Sequence, residues 1–217
     1  MTRDRATSIG IFLFGAALVL LTAEVAVVSV LRYFTTLQTP PDVILANRFS
    51  HPFLWLHVGG GVTALVVAPL QFVKRVRERF PAVHRITGRV YVGACAVAAP
   101  AGFMLAIGSM AGPIAGTGFA ISAVLWSIFT FLGVRSAIRR RFDEHRAWII
   151  RSYAITSTAI TLRLMLPFSV ALMKLPFVPA YQVIAWASWI ANLAIAEIYL
   201  RRKQRNTLPI PAALATA

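Results

Sequence analysis

The chain has 217 residues, of which 58% are apolar and only 13% charged, with a mean hydropathy of +0.72. A soluble domain carries about 25% charged residues, so a water-soluble globule is excluded, as is a disordered chain, and the single cysteine, Cys95, excludes a disulfide scaffold. Lys and Arg number 22 against 7 Asp and Glu, a formal net charge of +15, but they lie in short segments between apolar runs, which reads as membrane topology rather than nucleic-acid binding.

Six runs of membrane-crossing length follow one another. The first, 9–31, starts after MTRDRATS and is too long for the apolar part of a signal peptide, so a retained helix is expected. Residues 32–51 form an outer connection with room for a short surface helix. The second run, 52–73, carries His57, the triplet Gly59-Gly60-Gly61, read as tight packing, and Pro69. Six basic residues precede the third run, 90–110, which holds Cys95 as buried filler and Pro100. The fourth is 114–134. The fifth, 147–170, contains Arg151, Arg163 and Pro167, and the sixth is 180–200. The three prolines mark places where a helix can break. Residues 1–206 are expected to form one integral membrane domain and 207–217 a loose tail.

Seventeen Lys and Arg residues fall on the side of the N-terminus, and three, Arg32, Arg48 and Lys174, on the other. This asymmetry predicts an all-α, six-helix bundle with both termini cytoplasmic in a bacterial inner membrane. Basic loops of this kind also meet anionic lipid head groups.

Ionisable residues inside the membrane cost about 2.5–3.5 kcal/mol each at the centre and normally face the bundle interior. A rise of about 1.5 Å per residue puts Glu24, His57 and Arg163 at a common depth near the outer third, about 8–10 Å from the outer helix ends. They are expected to form a buried polar cluster, with proton transfer or a quinone head group as its use.

A second polar layer lies at the inner face. His84, Gly88, Tyr91 and Cys95 recur along one stripe, as do His145, Ser152, Thr156, Ala159 and Arg163. The segments HRITGRVY (84–91) and HRAWIIRSY (145–153) echo each other, the second with one extra residue. Two histidines on helices that enter the membrane in the same direction can hold one b-type haem between two imidazoles. His84 and His145 are the expected metal ligands. Arg89 and Arg151 are candidates for the propionates, Gly88 for close approach, and Tyr91 and Tyr153 for further contact. Other readings stay open. Small and polar faces also serve helix packing alone. Asp143, Glu144, His145 and His84 offer mixed oxygen and nitrogen ligands, for example to zinc, in a non-redox enzyme. A small-solute or lipid transporter would use the outer cluster without any cofactor. Nucleophile elbows, phosphate loops and His-Glu-x-x-His are absent from the sequence.

The segments LHVGGG (56–61), HRITGRVYV (84–92) and HRAWIIRSYA (145–154), followed by Arg163, resemble the bacterial membrane-protein family catalogued as domain of unknown function 2306. The resemblance implies a membrane protein and brings no activity with it. A looser similarity is to the cytochrome b561 group, six-helix proteins whose two haems are held by the second with the fourth and the third with the fifth spans. That similarity implies a redox partner and electron transfer. The fourth span here has no histidine, so it implies one standard haem site at most.

Overall fold

The computed structural model describes the backbone of residues 2–38 and 42–207 and the side chains of 15–38 and 44–205. The expected tail is outside the described residues, apart from Thr207, which ends the last helix. Nine α-helices make up the described chain: α1 (Thr2–Tyr33), α2 (Asp42–Leu45), α3 (Ser50–Phe72), α4 (Lys74–Arg79), α5 (Pro81–Ile107), α6 (Pro113–Ile138), α7 (Phe142–Thr156), α8 (Thr158–Pro167) and α9 (Phe177–Thr207). Six stretches are long and apolar enough to cross a membrane: Gly15–Tyr33, Ser50–Phe72, Pro81–Ile107, Pro113–Ile138, Phe142–Leu172 and Phe177–Arg205. The expected all-α, six-span architecture is therefore observed, and the outer connection carries the short α2.

The largest boundary difference is in α5, which begins at Pro81, nine residues before the expected start. Hydropathy alone stops at the charges of Arg85 and Arg89. The backbone starts at a proline in its first turn, where the missing N–H costs nothing. His84 and Arg89 consequently sit on the helix and not in a loop. The basic segment before α5 is itself the six-residue helix α4.

Helix ends are set by local chemistry. α6 starts at Pro113 after Gly112, whose φ of +87° suits only a residue without a β-carbon. Two side chains of α9 close this corner: Gln182 Nε2 donates to the Ala111 carbonyl (2.8 Å) and Trp186 Nε1 to that of Ile114 (3.0 Å). α7 carries Asp143 and Glu144 in its first turn, where carboxylates offset the positive end of the helix dipole. The fifth crossing is made of α7, α8 and a π-helical turn at Phe168–Leu172. Pro69 and Pro100 leave α3 and α5 continuous. After Pro167 the backbone relaxes into the π turn instead.

α3, α5, α6 and α7 pack in sequence around the main core, with α9 against α6, α7 and α8, and α1 against α3 and α8. The core is built from small residues, Ala64, Ala68, Cys95, Ala98 and Ala99, around the rings of Tyr91, Trp126 and Trp189. Lipid tails are as apolar as a leucine side chain, so close backbone approach between small residues is what favours helix association. Gly60 marks the tightest approach: a β-carbon there would lie 2.8 Å from the Ala94 carbonyl oxygen and 2.9 Å from the Ala98 β-carbon.

Candidate functional site

α5 and α6 run antiparallel across the turn at 108–112, and α6 and α7 across the turn at 139–141, so α5 and α7 are parallel. α6 packs against both of them along its length. Tyr91, 1% exposed, joins α5 to α7 about 15 Å along from their starts. Its hydroxyl bonds Ser152 Oγ at 2.7 Å and Thr156 Oγ1 at 2.9 Å. Ser152 is bonded in turn to Thr130 Oγ1 on α6, at 2.8 Å. Tyr91, expected beside a cofactor, is thus the centre of a hydroxyl knot holding three helices.

This knot fixes the register of the inner polar layer. Tyr91 and Ser152 are 61 positions apart, and so are His84 and His145. Seven residues back along both helices is two turns, about 10 Å, and returns to nearly the same face. The two histidines accordingly occupy matching heights below the knot, each the fourth residue of its helix, and lie within electrostatic range of each other.

Their ring nitrogens are unequal. His145 Nδ1 is 2.8 Å from the Gly133 carbonyl oxygen. A carbonyl can only accept, so Nδ1 carries the proton and Nε2 of the neutral ring keeps its lone pair. Ligating histidines are commonly held in this way by their second nitrogen. Gly133 lies against Ile149, one turn after His145; a β-carbon there would come within 2.7 Å of Ile149 Cδ1. His84 Nδ1 is buried and has no hydrogen-bond partner among the described residues. The Tyr153 hydroxyl is in the same condition, its ring 5.2 Å from that of Phe72.

The remaining expected residues separate. Arg151 is committed elsewhere: its Nε and one terminal nitrogen take both carboxylate oxygens of Glu197 on α9, and its guanidinium lies 4.7 Å over the Trp148 ring. Arg89 is exposed. The space beside Gly88 is taken by Gln71, which also donates to Thr87 Oγ1 at 2.6 Å. Arg77 on α4 and Arg85 are the cations within electrostatic range of His84; Arg77 was not foreseen, since a loop arginine gives no sign of which helix it folds back on. Among the described residues no three His, Cys, Asp or Glu side chains gather as a metal-ligand group. The mixed set of Asp143, Glu144, His145 and His84 is not assembled; Glu144 instead faces Arg141 at 3.5 Å.

At the opposite end the three expected residues are each turned differently. His57 donates Nδ1–H to the Ala98 carbonyl (2.9 Å), its ring lying where a side chain at Gly102 would be. Arg163 donates to its own helix at the Ala159 carbonyl (3.0 Å) and to Ser29 Oγ on α1 (2.9 Å). Glu24 is exposed, within electrostatic range of Arg163 but not ion-paired with it. No hydrogen bond or ion pair joins the three among the described residues.

A family model described as "Predicted membrane protein (DUF2306)" matches residues 54–200. The chain belongs to this family. The DUF2306 match covers α3 to α9 with both histidines, the hydroxyl knot and Arg163, and it extends beyond the stretch that carried the sequence resemblance to include α9. Helix α1 is outside it. Neither a curated protein nor a solved structure matches the chain.

Proposed function

We propose that this DUF2306 protein is a redox-linked membrane protein that binds a b-type haem between His84 and His145. The observation that carries the reading is the shared register of the two imidazoles. It is supported by the Gly133 carbonyl, which leaves His145 Nε2 free to ligate, and by the unpartnered buried nitrogen of His84. Bound haem would supply one-electron chemistry at a potential tuned by burial and by the hydrogen bond behind His145. The anion clamp differs from the one expected. Arg151 is held by Glu197, so Arg77 and Arg85, beside His84, are assigned to the propionates, with exposed Arg89 at the rim. His57 is directed to Ala98, so one haem is proposed and not two. A quinone remains the electron partner of choice in this reading, because it travels within the bilayer.

The protein is assigned to the bacterial cytoplasmic membrane with both termini cytoplasmic, on the strength of the basic asymmetry. The histidine pair then lies at the cytoplasmic end.

The test is a reduced-minus-oxidised spectrum of protein purified in detergent from haem-replete cells. The reading expects the sharp α-band of a low-spin bis-imidazole haem, lost in His84→Ala and in His145→Ala and retained in Arg151→Lys. No band, or a band indifferent to both histidines, ends it.

A further inference from the structure

Arg163 is a largely buried cation inside a crossing that forms no ion pair among the described residues. It lies nine residues inside the end of the fifth crossing, about 13 Å by helical rise. Two of the five N–H groups of a guanidinium are spent, both on neutral oxygens, those of Ala159 and Ser29. An arginine inside a membrane is normally paired or marks a site for a charged group, and Glu24, a carboxylate within electrostatic range, is exposed and forms no ion pair with it.

Two phenols point to where a partner would sit. Ser29 is 1% exposed on the buried face of α1, and Tyr33 is one turn further along that face. Tyr181 stands near the start of α9, its ring stacked on Phe177 and tilted against Phe119, both at 5.4 Å. Both tyrosines lie within electrostatic range of Arg163 and of each other. Beside Tyr33 and Arg163, Arg32 Nε is buried without a hydrogen-bond partner among the described residues. Two guanidiniums, those of Arg163 and Arg32, and two phenols, with the rings of Phe119 and Phe177 against Tyr181, gather from α1, α8 and α9 at the end of the bundle away from the histidine pair.

We propose that Arg163, Tyr33 and Tyr181 form a binding site for the anionic head group, carboxylate or phosphate, of a single amphiphile whose tail lies along the lipid-facing surface of α1. The surface of α1 suits an acyl chain, since Val19, Leu20, Val27 and Val30 are all exposed. An anion, and not the neutral ring of a quinone, is what an uncompensated guanidinium in low dielectric favours.

The site is tested with the full-length protein in phosphatidylcholine nanodiscs by saturable quenching of tryptophan fluorescence; Trp186 packs in the same small cluster as Tyr181. The probes are a brominated fatty acid, its methyl ester and a brominated phosphatidic acid. At least one anionic probe is expected to bind ten-fold or more tightly than the ester, and which one does so separates carboxylate from phosphate lipid. Arg163→Gln is expected to abolish that preference, and Tyr33→Phe and Tyr181→Phe to reduce it several-fold each. His84→Ala is expected to leave it unchanged, so this site and the haem reading fail separately. Equal quenching by acid and ester, displacement by a short-chain quinone as effective as by the acid, or a preference that survives Arg163→Gln overturns the proposal. If Arg163→Gln does not fold, the tyrosine variants and the acid-to-ester ratio decide it.

Discussion

A hydroxyl in hydrocarbon must find a partner, and Tyr91 finds two, both on α7. Its neighbours are not left stranded if it is removed. Ser152 keeps Thr130, and Thr156 keeps the Ser152 carbonyl at 3.0 Å. Tyr91→Phe is therefore expected to cost only about 1 kcal/mol, between the average of about 0.6 and the maximum of about 1.7 kcal/mol for hydrogen bonds between membrane helices. Tyr91→Ala also removes a ring that is 1% exposed, and a cavity of that kind costs about 3–5 kcal/mol. Unfolding midpoints in mixed detergent should order wild type, Tyr91→Phe and Tyr91→Ala in that sequence. A Phe variant as unstable as the Ala variant would mean that the hydroxyls and not the ring hold α5 to α7. The stripe of His84, Gly88, Tyr91 and Cys95 was legible in the sequence because helical phase reveals which residues turn inward. What each one meets was not legible. Tyr91 facing Ser152, Gln71 covering Gly88 and Arg151 gripping Glu197 all depend on which helices become neighbours, and one sequence does not contain that information in its periodicity.

At the level of elements, apolar runs located all six crossings, since length and hydropathy are what the bilayer selects. The misplaced start of α5 came from treating charge as the end of a helix; in a membrane protein, charge ends only the buried part. The triplet Gly59-Gly60-Gly61 was read as packing, and the structure distributes that role unevenly. A β-carbon at Gly60 collides with the backbone of α5, whereas at Gly61 it meets nothing within 4 Å. Gly60→Ala must push α3 away from α5 and is expected to destabilise by about 1–3 kcal/mol, as overpacking does. Gly61→Ala is expected to be neutral or to stabilise by up to about 1 kcal/mol, because alanine reduces the freedom of the unfolded helix. Thermal melts of the two purified variants compare them directly. Similar melting temperatures would show that α3 and α5 are not in the close contact described.

Across the whole molecule the two ends differ in character. One gathers α4, the starts of α5 and α7, the end of α6 and the end of α9, with nearly all the basic residues and the histidine pair. The other gathers Tyr33, Tyr181, Arg163 and the aromatic corner around Trp186. The histidine end is recognisable from the repeated His-Arg segments, whereas Tyr33 and Tyr181 carry no such signal in the sequence, since Tyr at a span end is also the ordinary interfacial anchor. The proposed orientation follows from the charge count and not from any one loop, which makes its sensitivity predictable. Alkaline phosphatase fused after Arg205 is expected to be inactive and a fluorescent protein there to fold and emit, while phosphatase inserted in the turn at 108–112 is expected to be active. Replacing Arg139, Arg140 and Arg141 together by Ser leaves 14 basic residues against 3, so the same reporter pattern is expected to persist. Active phosphatase after Arg205 in the unmodified chain would invert the assignment. It would place the histidine pair on the periplasmic side, and the anion site would then face the cytoplasm.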